Sequence, residues 1–279
     1  MLLNLSKDFK PYNGEEIDFQ SFTFSGGEPH IKINPNFDIE QSVVVTHRLN
    51  SFNDLGLLCL AVDALKRIDA KISNLVIPYF PSARQDRVMV KGEPLSVKVY
   101  ADIINNLGFK KIIVLDVHSE VTPALIHNCI AISNHNFIKQ VINKIGIKIK
   151  LISPDAGALK KIYKVSTFLG GIDVVECSKN RDVKTGNLTG FKVYADDLGG
   201  QDCLIVDDIC DGGGTFIGLA DELKKKNAGR LYLAVTHGIF SKGFDELESS
   251  FTHIFTTNSI KDLYHNCLTQ IKLDDGLLS

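Results

Sequence analysis

Acidic and glycine residues are concentrated in the segment LIVDDICDGGGT at residues 204–215. Its acidic residues are Asp207, Asp208 and Asp211, and they are followed by Gly212, Gly213, Gly214 and Thr215. Backbone N–H groups at the start of a helix bind anions, whereas carboxylates accept hydrogen bonds from hydroxyl groups. A sugar phosphate offers both kinds of partner. The segment therefore predicts a sugar-phosphate site in which the glycine amides hold phosphate and the acids hold hydroxyl groups.

Two common nucleotide-binding loops do not match this segment. No lysine follows the last glycine, which excludes a Walker A loop, and Ile217 stands where a GxGxxG loop has its last glycine. The alternative interpretation is a tight strand-to-helix turn whose acids are simply solvated.

A second polar group, Arg84, Gln85, Asp86 and Arg87, follows the apolar run at 74–80. Arginine can bind phosphate through two parallel hydrogen bonds, and neighbouring Gln85 and Asp86 can contact a base or orient the arginines. A surface ion-pair cluster is the alternative interpretation of these residues.

Two further residues stand at predicted strand ends, His118 and Asp155. Magnesium prefers oxygen ligands, so Asp155 is the better metal candidate and His118 the weaker one. Lys179 and Arg181 lie in the polar stretch CSKNRDVKTGNLTG, whose composition alone indicates a solvated loop.

Apolar runs that suit buried strands alternate with helical patterns along the chain. The apolar runs lie at 43–47, 74–80, 111–118, 149–155, 202–208 and 231–237, and the helical patterns at 53–68, 93–108 and 215–227. Continuous apolarity is typical of strands covered on both faces, and the alternation predicts parallel sheets with right-handed crossovers. We expect an α/β fold with two domains of about equal size, 1–135 and 136–279.

The bulk composition is that of an ordinary globular protein. The 279 residues are 44% hydrophobic and 23% charged, with a formal net charge of -2, so no basic surface for nucleic acid or an anionic membrane is expected. The six cysteines show no CxxC spacing, which argues against metal clusters and disulfides. No signal peptide or spanning segment is apparent, and we expect a cytoplasmic protein.

The acidic and glycine segment resembles the phosphoribosyl diphosphate loop of type I phosphoribosyltransferases and ribose-phosphate pyrophosphokinases. The segment PYFPSARQDRVMVKGEPLSVK at 78–98 is similar to the second family alone. Further matches to that family, in its order, are FSGGEPHIKIN (24–34), VDALKR (62–67), VLDVHSE (114–120), ISPDAG (152–157), SKNR (178–181) and VTHGIFS (235–241). The sequence is identified as a member of the ribose-phosphate pyrophosphokinase family.

This resemblance implies transfer of the diphosphoryl group of MgATP to the C1 hydroxyl of ribose 5-phosphate. The products would be AMP and phosphoribosyl diphosphate, a precursor for nucleotide or NAD synthesis. The implied fold is a pair of similar phosphoribosyltransferase-like domains, each with a mainly parallel sheet flanked by helices. The N-terminal domain would carry ATP-site residues, and the C-terminal domain the ribose 5-phosphate loop and a catalytic loop. A homo-oligomer, dimer or hexamer, is also implied.

The resemblance also implies roles for individual residues. Lys179 and Arg181 would be catalytic, and His118 and Asp155 would bind Mg²⁺. Phe24 and Glu28 would contact adenine from a neighbouring subunit. The implied ATP-site residues are Phe24, Glu28, Arg84, Gln85, Asp86, Arg87 and His118.

Several positions depart from the family pattern, among them Gly26, which stands where aspartate is common, and Gly212, which replaces the usual threonine of the sugar loop. Two other functions therefore stay open. One is a non-catalytic regulatory subunit resembling pyrophosphokinase-associated proteins, although Lys179, Arg181 and the acids are retained. The other, a phosphoribosyltransferase acting on a base, has no role for the segment at 83–87.

Overall fold

The chain folds into two α/β units. The computed structural model describes residues 1–181 and 188–278, with the backbone alone at 180, 181, 188 and 189. The first unit comprises Met1–Ser133, Ser259–Lys261 and Lys272–Ser279, and the second comprises Asn134–Asn258 and Asp262–Ile271. The main division thus follows residue 133, where the sequence places it after 135, and two short C-terminal segments belong to the first unit.

The first unit contains a parallel sheet and a separate hairpin. Its elements are β1 (Leu2–Asn4), β2 (Phe19–Thr23), β3 (Pro29–Ile33), β4 (Val43–Thr46), α1 (Phe52–Arg67), β5 (Ile72–Val76), α2 (Ser96–Asn105), β6 (Lys111–Leu115), α3 (Val121–Leu125) and β7 (Cys129–Ile132). The sheet has the order β1-β4-β5-β6-β7, and every neighbouring pair is parallel. Strands β2 and β3 pair with each other in antiparallel fashion.

The second unit contains a larger, mainly parallel sheet. Its elements are α4 (His135–Ile145), β8 (Lys150–Ser153), α5 (Leu159–Phe168), β9 (Val174–Arg181), β10 (Leu188–Val193), β11 (Cys203–Cys210), α6 (Gly214–Lys225), β12 (Leu231–Gly238), α7 (Asp245–Ser250), β13 (His253–Thr257) and β14 (Leu268–Ile271). The order is β10-β9-β8-β11-β12-β13-β14, with β10 alone antiparallel to its neighbour. Among the described residues, no helix is both long and apolar enough to cross a membrane.

Local sequence signals explain why these elements form. Strand β12 is buried at every position, as expected for a strand covered on both faces. Helix α1 begins after Ser51, whose side chain accepts a hydrogen bond from the backbone N–H of Asp54, and it ends in Lys66 and Arg67, which suit the negative end of the helix dipole. The predicted alternation of parallel strands and helices is confirmed in both units.

Several predicted strands are shorter in the structure. Strands β5, β6 and β8 end at Val76, Leu115 and Ser153. Arg84, His118 and Asp155 therefore lie in loops beyond the strand ends and not directly at them.

Two antiparallel pairs were not predicted from the sequence. The β2–β3 hairpin carries Phe24 and Glu28 at its turn. Lys179 and the backbone of Arg181 belong to β9, which pairs with β10, so the polar stretch predicted as a loop begins as a strand. Cross-strand pairing overrides local polarity here, since strand preference depends strongly on context.

His47 is a buried histidine that the fold holds in its neutral form. Its Nδ1 lies 2.8 Å from Ser6 Oγ, and its Nε2 lies 3.1 Å from the carbonyl oxygen of Asp54. Burial lowers the pKa of His47 from 6.5 to about 4, against the opposing charge of Asp54. Between these two pH values the unfolded chain binds a proton that the folded chain does not, so stability falls as pH falls from 6.5 towards 4.

We expect His47 to make the free energy of unfolding pH-dependent. Between pH 7 and pH 5 its contribution falls by about 2 kcal/mol, and the full loss below pH 4 is about 3 kcal/mol. Urea unfolding at both pH values checks this, because His47→Gln should reduce the difference by that amount. His127→Gln, at an exposed histidine of the same unit, should leave it unchanged. An equal pH effect in wild type and His47→Gln would contradict the prediction.

Candidate functional site

The order of strands in the second unit locates a ligand-binding edge. From β8 the chain proceeds to β9 and β10 on one side, whereas β11, β12, β13 and β14 extend the sheet on the other side. Ligands of open α/β sheets bind beyond the carboxyl ends of the strands where the order reverses in this way. Asp155 follows β8, and Asp207 and Asp208 lie in the second half of β11. The predicted acidic residues therefore stand at the switch point.

Three carboxylates interact at this edge. Burial, the charge and hydrogen bond of Asp208, and the charge of Asp155 together raise the pKa of Asp207 well above its ordinary value. The Asp208 backbone N–H also donates to Asp207 Oδ1 at 2.9 Å. Asp208 is itself only 7% exposed. The arrangement concentrates negative charge in poorly solvated surroundings, which favours hydroxyl donors or a cation as partners.

Two lysines lie against these acids. Lys179 Nζ forms an ion pair with Asp155 Oδ2, and Lys161 Nζ, on α5, lies 3.9 Å from Asp208 Oδ2. The sequence predicts a role for Lys179 but misses Lys161, because one lysine among several on an amphipathic helix carries no motif. An ion pair therefore connects Lys179, the predicted catalytic lysine, to Asp155, the predicted metal ligand.

The glycine turn connects β11 to α6. Gly213 has φ of +80° at the helix N-cap, a conformation that favours glycine, and no described side chain caps the helix. A Cβ atom at Gly213 would lie 3.0 Å from Leu247 Cδ2, since α7 packs behind the turn. The helix begins at Gly214, followed by Thr215. This geometry suits an anion held by backbone N–H groups at a helix start.

Asp211 and Gly212 occupy the start of this turn. Ser241 Oγ donates to Asp211 Oδ1 at 2.7 Å, and Ser241 N–H donates to the Asp211 carbonyl at 3.0 Å. Ser241 ends the motif at 235–241 but receives no role from the sequence. A Cβ atom at Gly212 would lie 3.4 Å from Lys242 Cδ, which is ordinary contact with a flexible side chain.

The oxygen-rich donors of this edge fit a magnesium ion chemically. Asp155 is engaged on both oxygens, because Ala158 N–H donates to Oδ1 at 3.0 Å and Lys179 pairs with Oδ2. A cation would therefore compete with Lys179 for Asp155. The other predicted ligand, His118, is exposed and belongs to the first unit.

In the first unit, the polar segment at 84–87 interacts with residues that follow β6. Asp86 is buried and lies 3.0 Å from Arg87 Nε. The hydrogen bond from Arg87, one from Ser119 and the charge of His118 lower the pKa of Asp86 despite its burial. Arg84 and Gln85 are exposed. Ser119, which the sequence leaves unassigned, thus links the two predicted segments.

Phe24 and Glu28 lie on the β2–β3 hairpin, where Phe24 N–H donates to the Glu28 carbonyl at 2.9 Å. The Phe24 ring is 51% exposed and packs edge-on against Phe22, with centroids 4.8 Å apart. The Glu28 carboxylate folds over Gly26, where a Cβ atom would lie 2.6 Å from Glu28 Oε2. Glycine at position 26 therefore permits this orientation of Glu28.

Arg181 is the remaining predicted site residue. Its backbone ends β9, but its side chain lies outside the part of the structure that is described. Its catalytic role stays a prediction, as do the adenine contacts of Phe24 and Glu28.

Comparison with known proteins gives consistent matches in both units. Residues 10–108 match the N-terminal domain of ribose phosphate pyrophosphokinase, and residues 189–275 match the phosphoribosyl synthetase-associated domain. The ribose-phosphate pyrophosphokinase of Vibrio parahaemolyticus is 30% identical over 255 residues, covering 85% of this chain and 77% of the relative. That of Pasteurella multocida is 31% identical over 228 residues, covering 78% and 70%.

The fold comparison agrees with the sequence comparison. The crystal structure of phosphoribosylpyrophosphate synthetase from Mycobacterium smegmatis superposes with a TM-score of 0.81 at 23% identity. The match covers 98% of this chain and 94% of that one. The two-unit α/β architecture is therefore shared over nearly the whole chain.

Substitution of Gly213 should destabilise the turn more than substitution of a comparable glycine. Gly213→Ala is expected to lower the free energy of unfolding by about 2–3 kcal/mol, since it combines positive φ with contact against Leu247. Gly243→Ala is the matched control, because Gly243 has φ of +75° but nothing within 4 Å of its Cβ position. It should cost only about 1 kcal/mol. Urea unfolding of both variants measures the difference, and equal losses would show that Leu247 does not constrain the turn.

Proposed function

Because the chain belongs to the ribose-phosphate pyrophosphokinase family, we propose that it transfers the diphosphoryl group of MgATP to ribose 5-phosphate. The bond that forms joins the C1 hydroxyl oxygen to the β-phosphorus. The bond that breaks lies between the α,β-bridging oxygen and that phosphorus, AMP leaves with the oxygen, and the C1 hydroxyl proton is released to solvent. The products are AMP and phosphoribosyl diphosphate.

This proposal rests on one observation: the segment at 204–215, which connects β11 to α6, carries both carboxylates and uncapped helix amides. Asp207 and Asp208 accept hydrogen bonds from ribose hydroxyls, whereas the turn at Gly213 binds the 5-phosphate. A ligand with phosphate alone would leave the acids repelling it. A ligand with hydroxyls alone would leave the helix start without an anion.

Cationic side chains support the transfer step. Negative charge develops on the transferred group and on the AMP leaving group, and Lys179 and Arg181 would stabilise it. Lys179 already lies against Asp155, which holds its ammonium group beside the acidic edge. In the first unit, Arg84, Gln85 and Arg87 would bind ATP.

Buried Asp86 pairs with Arg87 and so orients its guanidinium group. Asp155 would hold a magnesium ion, which when bound neutralises phosphate charge, and the metal role of His118 stays a prediction from the sequence. A cation on Asp155 would repel the ammonium group of Lys179 and so weaken its ion pair with Asp155. The Lys179 ammonium group would then be available to the phosphates.

Formation of AMP from MgATP, with and without ribose 5-phosphate, tests the proposal. AMP that appears only with the sugar, together with a diphosphorylated ribose seen by phosphorus NMR, would support it. Binding of ribose 5-phosphate without turnover would instead indicate a regulatory subunit. Consumption of phosphoribosyl diphosphate with a free base would indicate a phosphoribosyltransferase.

Lys179 should affect the rate of transfer more than substrate binding. We expect Lys179→Ala to lower kcat by at least about tenfold, or about 1.4 kcal/mol, with little change in ribose 5-phosphate affinity. Lys150→Ala is the matched control, because the Lys150 side chain is 23% exposed and ion-paired to Asp173, against 24% exposure for Lys179. Steady-state kinetics of both variants measure the effect. Equal kcat values in both variants would remove Lys179 from the mechanism.

Position 212 should tune the affinity for ribose 5-phosphate. Gly212→Thr adds a hydroxyl where the three nearest atoms belong to the flexible Lys242 side chain, and one neutral hydrogen bond contributes about 0.5–1.5 kcal/mol. We expect Gly212→Thr to bind the sugar phosphate about 2- to 10-fold more tightly than Gly212→Val, which has the same shape without the hydroxyl. Isothermal titration calorimetry compares the two. Equal affinities would show that the hydroxyl makes no phosphate contact.

A further inference from the structure

A group of potential metal ligands lies in the second unit, outside the acidic edge. Glu248 on α7 meets His265 and Cys267, which precede β14. One ligand atom of each residue lies within 4.8 Å of the other two. None of these residues belongs to the sugar-phosphate segment, so the group is independent of the proposed function.

Two of the three side chains are held in place by the fold. His265 Nδ1 lies 3.1 Å from Cys267 Sγ, and the His265 ring stacks on Phe244 with centroids 4.7 Å apart. Cys267 is 6% exposed, and its carbonyl accepts a hydrogen bond of 2.8 Å from the Ile254 N–H. The thiol and the imidazole are therefore adjacent before any ligand binds.

The third side chain is adjustable. Glu248 is exposed on a short helix, so its carboxylate can move relative to the fixed pair. Ligand atoms around a tetrahedral zinc ion are about 3.4–3.6 Å apart, given metal–ligand bonds of about 2.0–2.3 Å. Because no separation in the group exceeds 4.8 Å, a shift of about 1 Å in the Glu248 side chain brings its carboxylate to that spacing. The 3.1 Å between His265 Nδ1 and Cys267 Sγ would widen by about 0.4 Å.

We propose that Glu248, His265 and Cys267 form a site for a divalent transition metal of the zinc type. A thiolate, an imidazole and a carboxylate are all ordinary zinc ligands, whereas magnesium disfavours sulfur and nitrogen. Glu248 opens the group to solvent, so water fills the fourth position. The metal joins α7 to the chain before β14.

The location gives this site a structural consequence. Leu247, next to Glu248, packs behind Gly213 of the glycine turn. A metal bound to Glu248 thus also restrains α7, the helix that packs against the glycine turn. The competing interpretation is a hydrogen-bonded Cys–His pair with an acid nearby, which would bind no metal.

Cobalt(II) is a suitable probe, because its thiolate complexes absorb by ligand-to-metal charge transfer. Titration of the chelator-treated full-length chain should develop this absorption and saturate at about one metal ion per chain. Zinc should displace cobalt, whereas millimolar magnesium should not. Cys267→Ser should abolish the absorption. Cys59→Ser, at a partly exposed cysteine of the first unit, should retain it.

The other two ligands make the test independent of how Cys267→Ser folds. His265→Gln and Glu248→Gln should each weaken cobalt binding at least about tenfold, while their circular dichroism spectra match the wild type. Absence of the thiolate absorption in wild type would overturn the proposal. So would unchanged affinity in both variants, or absorption that survives Cys267→Ser in a folded protein.

Discussion

Mutual repulsion among Asp155, Asp207 and Asp208 is the constraint on which the second unit's site depends. Parallel pairing of β8 with β11 brings these acids to one edge of the sheet, and burial weakens the solvent screening of their charges. Burial is the largest cause of the raised pKa of Asp207, and the charges of Asp208 and Asp155 add to it. Lys179 and Lys161 offset part of the charge, and a ligand rich in hydroxyl donors offsets more. Binding of a cation or of hydroxyl donors at this edge would therefore stabilise the second unit.

The glycine turn places positive partial charge beside this acidic edge. Its left-handed residue, Gly213, lies between the end of β11 at Cys210 and the start of α6 at Gly214, so one short chain segment carries both the carboxylates and the helix amides. Leu247 closes the back of the turn. Helix α7 consequently links the glycine turn to the proposed metal group, and a shift of Glu248 would reach Gly213 through Leu247.

Aspartates in the two units show how surroundings decide charge. Asp86 is buried like Asp208, yet hydrogen bonds from Arg87 and Ser119 lower its pKa, whereas burial and neighbouring carboxylates raise the pKa of Asp207. Asp86 therefore stays ionised and pairs with the guanidinium group of Arg87. The carboxylate form of Asp207 would instead be stabilised by a hydroxyl donor or a cation. The same residue type thus has a lowered pKa in the first unit and a raised pKa in the second unit.

The α/β class, the parallel strands and the acidic and glycine segment could be predicted from the sequence, because continuous apolar runs and glycine spacing are local signals. The exact strand ends and the side chains that meet in space could not be predicted in this way. In the folded chain, Arg84, His118 and Asp155 lie in loops, and Lys179 lies in a strand. The polar groups also include three residues that have no motif: Lys161, Ser119 and Ser241. Cys267 shows the same limit, since a cysteine without CxxC spacing gives no sign that His265 and Glu248 will lie beside it. Such groups depend on strand register and helix packing between residues distant along the chain, and no short motif encodes those distances.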